Sequence, residues 1–222
     1  MTKVLIFGGT RGTGLEAARE LAARGEHVTA VVRESSDTAE LDALGAATVT
    51  ADIFSAESVS GVFAAGSYDA VVLSLSGKRG EEQRPDREGV RVIVEVAREF
   101  GVKRVVMVTA IGSGDSRDAV APKVLEVLGE VLAIKTEAED FLMGAGVDAT
   151  IVRPGGLADA PASGTGVLSD DHMTMGVINR SDLGALVADC ITDNATIGNV
   201  YHAVDPEIKW QAPLQRGEDV PR

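Results

Sequence analysis

One cysteine, Cys190, stands among 222 residues. No internal disulfide can form, and Cys190 falls in an apolar helical pattern, where it reads as a small buried hydrophobe. Positive charge is scarce. The 21 Lys and Arg against 34 Asp and Glu leave a net charge of −13. Such a surface repels phosphate backbones and anionic bilayers, so neither nucleic acid nor membrane is expected as a partner. No apolar run reaches the roughly 18 residues of a membrane span, and MTKVLIF enters a strand without a cleavage site. The expectation is a cytoplasmic monomer or homodimer that acts on a small molecule, with no metal site. Aromatic residues are few as well, and the only tyrosines are Tyr68 and Tyr201.

What is present is alternation. Val- and Ile-rich runs at Lys3–Phe7, Val28–Val32, Ala47–Ala51, Ala70–Leu75, Val102–Thr109, Ala149–Val152 and Asn199–Val204 read as strands. Helical patterns fall between them at Gly14–Arg24, Thr38–Leu44, Ser55–Ala65, Arg87–Phe100, Pro122–Met143 and Asp182–Cys190. Strands apolar on both faces, separated by helices, predict an α/β fold with a doubly wound parallel sheet of Rossmann type. Residues 1–205 form a single domain in this reading. Residues 155–180, after the sixth strand, form a small insertion expected to cover a substrate. The tail 206–222 is a lid, a dimer contact or a disordered stretch.

The first strand runs into GGTRGTG and then a helix. A glycine turn at a helix start offers backbone N–H groups and the positive dipole end to a pyrophosphate. Gly8, Gly12 and Gly14 set the spacing, with Thr10, Arg11 and Thr13 between them. At the end of the second strand an acidic side chain binds a ribose 2′-OH, whereas an arginine accommodates a 2′-phosphate. Here the sequence reads VTAVVRESS, so Arg33 with Arg11 makes a two-arginine clamp and Ser36 adds a hydroxyl. NADPH is therefore expected in preference to NADH, unless Glu34 points inward. Leu75, Ser76 and Gly77, after the fourth strand, are expected to run along the dinucleotide. Lys78 and Arg79 are phosphate or substrate contacts, or plain loop charges.

The spacing G-x-x-x-G-x-G resembles that of the short-chain dehydrogenase/reductase superfamily. VLIFGGTRGTG, VTAVVRESS, VKRVVMVTAIGSG, KTEAEDFLMGAGVDATIVRPGGLAD and INRSDLGALVADCI extend the resemblance over about residues 3–205. They point to its atypical members of NmrA-like and biliverdin-reductase-B/flavin-reductase-like kind. The resemblance implies that Asp52, followed by Ile53, holds the adenine amino group; the alternative is a cap for the next helix. It also implies a Ser after the fifth strand and a Tyr-x-x-x-Lys on the following helix. The lysine is present as Lys135, but Val131 stands where the tyrosine belongs, and the serine falls on Thr109 or Ala110.

Lys135 can be argued from the helix alone. Leu128, Val131, Lys135, Ala138 and Leu142 share one face at helical spacing. A lysine on a sheet-packing face needs a polar partner, such as ribose hydroxyls, or else reaches water from the helix edge. Pro154 and Gly155 follow the sixth strand, where the chain should pass the nicotinamide. His172, in the insertion, is the candidate proton donor; His27 and His202 receive no role. Arg153 is expected in a structural ion pair, and Ser181 as the cap of the last helix. Without a tyrosine acid, the expected acceptor is conjugated: a flavin, quinone, enone or linear tetrapyrrole that takes its proton from water afterwards. A non-enzymatic redox sensor and a cofactor-dependent epimerase are the alternatives.

Overall fold

In the computed structural model, residues 1–78 and 80–208 are described. Arg79 and all of the tail beyond residue 208 lie outside them, so the readings made for both do too.

Six strands follow the doubly wound pattern: β1 (Lys3–Phe7), β2 (His27–Val32), β3 (Ala47–Thr50), β4 (Ala70–Leu73), β5 (Arg104–Val108) and β6 (Asp148–Pro154). Three short strands follow within the insertion, β7 (Gly156–Ala158), β8 (Val167–Ser169) and β9 (Val177–Asn179), and β10 (Asn199–Val204) comes last. The main sheet has the order β3-β2-β1-β4-β5-β6-β10-β8, while β7 pairs with β9 in a separate small sheet. Every pairing in the main sheet is parallel except that of β8 with β10. The expected all-parallel sheet thus ends in one antiparallel edge strand. The insertion supplies it, and a three-residue strand is too short to show a periodicity in sequence.

Alternation along β1 divides the core. Val4 and Ile6 face a layer built on α1 (Gly12–Ala23) and α6 (Arg180–Thr192). Leu5 and Phe7 face α3 (Ala56–Ala65), α4 (Val90–Glu99) and α5 (Pro122–Gly144). The short α2 (Ala39–Ala43) adds Leu41 to the first layer. Cys190 lies wholly buried in that layer, and burial pushes its thiol up to about 11, as suits an inert packing residue. Among the described residues no helix is long and apolar enough to cross a membrane.

Several boundaries move for physical reasons. α1 begins two residues early, at Gly12, because Gly12 takes φ +56° and turns the chain directly into the helix. The helix expected from Arg87 opens instead with a π turn, Pro85–Gly89. α5 does carry Lys135, Ala138 and Leu142 inward, but Leu128 is 45% exposed. Twenty-three helical residues span about 35 Å, whereas the strands beneath span about 17–23 Å, so one end must overhang. Ser181 is not the cap of α6: that position is Asn179, since the chain passes from β9 into the helix without a loop. Asp182 instead accepts N–H bonds from Ser163 and Gly164 at 2.9 and 2.8 Å, which ties the insertion to the helix start.

Candidate functional site

The strands β1, β2, β4, β5 and β6 end along one side of the sheet, and a cleft of about 980 Å³ runs over their ends. Its first end is the glycine turn. Gly8 takes φ +87°, and a Cβ there would lie 2.2 Å from the Ser74 carbonyl oxygen. A Cβ on Gly14 would lie 2.2 Å from the Gly8 carbonyl oxygen. The two glycines thus let helix, turn and β4 close to backbone contact, with Gly8, Thr10, Gly12 and Thr13 on the cleft wall. Arg11 occupies the N-cap position of α1 and makes no side-chain cap bond. Most helices fill that position with Ser, Thr, Asp or Asn. A first turn without such a cap, over a glycine-lined hollow, fits a dinucleotide pyrophosphate as its partner.

Arg11 and Arg33 both line this part of the cleft, as does Ser36. Ser36 Oγ accepts the Arg33 backbone N–H at 3.1 Å and so fixes the turn that presents Arg33. Glu34 is exposed and is not among the residues lining the cleft. Asp52 and Ile53 reach the wall beyond β3. Asp52 does not cap α3; Ser55 does, accepting the Ser58 N–H at 3.2 Å. The Asp52 carboxylate turns back on the Phe54 N–H instead.

At the other end stand Leu75, Ser76, Thr109, Lys135 and Pro154. Lys135 is 8% exposed. Its Nζ lies 3.5 Å from the Leu75 carbonyl oxygen and 3.9 Å from Asp86 Oδ2. Burial pushes the ammonium down from its ordinary range, against the raising pull of Asp86 and Glu139. The three donors of an ammonium are thus met by one long contact and one distant carboxylate, which leaves capacity for ribose hydroxyls. Asp86 is itself buried. It accepts Nε and Nη2 of buried Arg84, each at 3.0 Å, and the Gly77 N–H at 3.2 Å.

Three expected residues do not reach the wall. Gly14 acts through backbone packing, as above. A Cβ on Gly77 would lie 2.8 Å from Arg84 Nε, so that glycine makes room for the buried arginine. A Cβ on Gly155 would lie 2.2 Å from the Gly176 carbonyl oxygen, so it admits the insertion. Ala110 is not on the wall either, whereas Thr109 is. Thr109 Oγ1 donates to Glu139 Oε1 at 2.5 Å, so its proton is committed to that carboxylate.

Glu139 begins a relay that the sequence reading missed, buried at Glu139 and Arg153 and exposed at Asp115. It also accepts from Ser113 Oγ at 2.6 Å and from Arg153 Nη2 at 2.7 Å. Arg153 continues to Asp115 at 2.6 Å, and Asp115 to His172 Nδ1 at 2.8 Å. Arg153 is thus in a structural ion pair, as expected. His172 is not on the cleft wall: its ring bridges Asp115 and the Val200 carbonyl, so the residue expected to donate a proton is spent on the relay. The signal for Glu139 was its place four residues after Lys135, on the face that ends at Leu142.

Only Leu157, Asp159 and Arg180 of the insertion line the cleft. Arg180 was not singled out in sequence, though a cation at the first residue of a helix opposes the helix dipole and is a signal of its own. The two tyrosines stand elsewhere, Tyr68 edge-on to Phe63 and Tyr201 in β10.

Residues 8–194 match the family described as NAD(P)H-binding. A solved Escherichia coli structure, ChuY, titled an anaerobillin reductase, is 27% identical. The likeness covers 95% of this chain and 100% of that one, at a TM-score of 0.84. A Bacillus subtilis protein, YhfK, named as an uncharacterized sugar epimerase, is 28% identical over 220 residues, 96% of this chain and 99% of its own. An uncharacterized chloroplastic protein of Arabidopsis thaliana is 30% identical over 197 residues, 84% of this chain and 70% of its own.

Proposed function

The chain belongs to the NAD(P)H-binding family, within the atypical short-chain dehydrogenase/reductase superfamily, and from that premise we propose that it is an NADPH-dependent reductase of a conjugated acceptor. One observation carries the proposal. The cleft keeps a buried lysine, Lys135, beside Thr109, while the place for a phenol four residues earlier is Val131 and neither tyrosine lines the wall.

NADPH, when bound, supplies a hydride; the protein supplies its position. The glycine turn binds the pyrophosphate through backbone N–H groups. Arg11 and Arg33 take the 2′-phosphate, Asp52 and Ile53 flank the adenine, and Lys135 holds the nicotinamide ribose. Pro154 bounds the nicotinamide end, and Leu75 and Ser76 lie alongside. Thr109, whose proton is committed to Glu139, does not stand in for the missing acid. A plain ketone would lack the acid catalysis worth about 10²–10⁴-fold. A flavin, quinone, enone or linear tetrapyrrole spreads the added charge and is protonated by water. The name of the Escherichia coli relative favours the tetrapyrrole class among these.

The test is NADPH consumption, followed at its near-ultraviolet absorbance, with a panel of linear tetrapyrroles, flavins, quinones and enones. Turnover with a conjugated acceptor and none with a saturated ketone is expected. Consumption at background across the whole panel overturns the reading. The name of the Bacillus subtilis relative favours a second reading, a cofactor-dependent epimerase. A dinucleotide that stays bound through dialysis while the panel stays silent would favour that second reading.

A further inference from the structure

α1 and α6 lie side by side along their lengths. A Cβ on Gly184 would lie 2.6 Å from the carbonyl carbon of Glu16, so the two backbones touch in mid-helix. Farther along, Arg24 Nη1 donates to Asp189 at 2.7 Å. At the helix starts Gly12 meets Arg180: a Cβ on Gly12 would lie 3.7 Å from Arg180 Nε. Helix packing thus holds Arg180 over the glycine turn, with its side chain on the cleft wall.

The present partner of Arg180 is Asp159, whose Oδ1 accepts from Nη1 at 2.5 Å. Asp159 is 83% exposed. With one partner so exposed, the pair adds little to stability and is easily exchanged. Its position is costly in another way, because it sets a carboxylate on the wall of a cleft whose turn end suits an anion. Arg11 and Arg33 are the arginines suited to the 2′-phosphate, so the pyrophosphate has no guanidinium among them.

We propose that Arg180 is a pyrophosphate-binding residue acting across Gly12, and that Asp159 competes with the pyrophosphate for it. The proposal rests on the dinucleotide reading of the cleft. Arg180 exchanges one anionic partner for another and no proton moves. Because NADPH and NADH share the pyrophosphate, Arg180 serves both, whereas Arg33 serves the 2′-phosphate of NADPH alone.

Titration calorimetry of NADPH and NADH against the wild type, Arg180→Ala, Asp159→Asn and Arg33→Ala separates these roles. Arg180→Ala should weaken both dinucleotides by the same factor, about tenfold or more. Asp159→Asn should tighten both, by up to about fivefold. Arg33→Ala should weaken NADPH alone. If the Arg180–Asp159 pair merely supports the fold, both of its variants act in the same direction. Asp159→Asn that weakens binding or leaves it unchanged therefore overturns the proposal, as does an Arg180→Ala that spares either dinucleotide. Arg180→Gln keeps the aliphatic stem if Arg180→Ala does not fold, and a tightening by Asp159→Asn that persists in the Arg180→Gln background is plain charge relief at the cleft and overturns the competition. A wild type that binds neither dinucleotide overturns the underlying reading instead.

Discussion

At the glycine turn the cleft is walled by backbone: Gly8 and Gly14 let helix, turn and β4 close to contact, and Gly12 turns the chain into the helix. At the Lys135 end the wall is held by buried charge, through Arg84 and Asp86 on one side and Thr109, Glu139 and Arg153 on the other. The first end depends on close approach, where one methyl group is too many. The second depends on mutual neutralisation, where one missing partner leaves a charge stranded. Binding and stability should therefore respond differently at the two ends.

The largest effect should come from Glu139→Ala. Glu139 is 3% exposed, and its loss leaves Arg153 with only the exposed Asp115 and Thr109 without an acceptor. A cost of about 3–5 kcal/mol is expected, read by urea or thermal unfolding, with dinucleotide affinity retained in the fraction still folded. A stability loss below about 1 kcal/mol would remove the contrast between the ends. Gly14→Ala comes next, with the opposite profile. A Cβ set 2.2 Å from the Gly8 carbonyl forces α1 away from the turn. A stability cost of about 1–3 kcal/mol is expected, together with loss of measurable dinucleotide binding in calorimetry. Intact binding would show that the turn does not depend on close approach.

The smallest effect sharpens the comparison by pH. His172 is raised above its ordinary value: burial opposes this, but the Val200 carbonyl and the Asp115 carboxylate outweigh it. A raised histidine contributes stability fully below the unfolded pKa of about 6.5, and that stability is lost as pH rises through the folded value. The melting-temperature gap between wild type and His172→Asn should thus be widest below about pH 6.5 and narrow as pH rises above it. Asp115, exposed to 67% and held at about 2 by Arg153 and His172 against the opposing effect of burial, keeps its charge throughout that window. A gap that does not change with pH would detach His172 from the relay.

This contrast also explains what was legible in the sequence. The turn end lies in contiguous phrases: GGTRGTG and RESS name their residues by spacing alone, and the strand–turn–helix context supplies the geometry. The charged end is assembled from distant segments. Thr109 meets Glu139 thirty residues on, and Asp115 meets His172 fifty-seven residues on. Arg84, Asp86 and Glu139 carry charges that are exposed by default in a sequence reading, so nothing local announces their burial. Lys135 was legible twice, from the Tyr-x-x-x-Lys spacing that the resemblance implies and from its interruption of an apolar face. The main strands were legible because most are rich in Val and Ile; β7, β8 and β9 were not, since three residues carry no period.

The pairing of β8 with β10 has a practical side. A long parallel sheet ends in rows of unpaired backbone groups that invite another chain to add on. The insertion covers the β10 flank with Val167–Ser169 and leaves as the new edge a strand of three residues, too short to template another chain. Trimming residues 160–176 to shorten the insertion would bare the flank of β10. An engineer would trade a shorter chain for one that sticks to its own copies, so redesign should keep those three residues and vary the segments on either side.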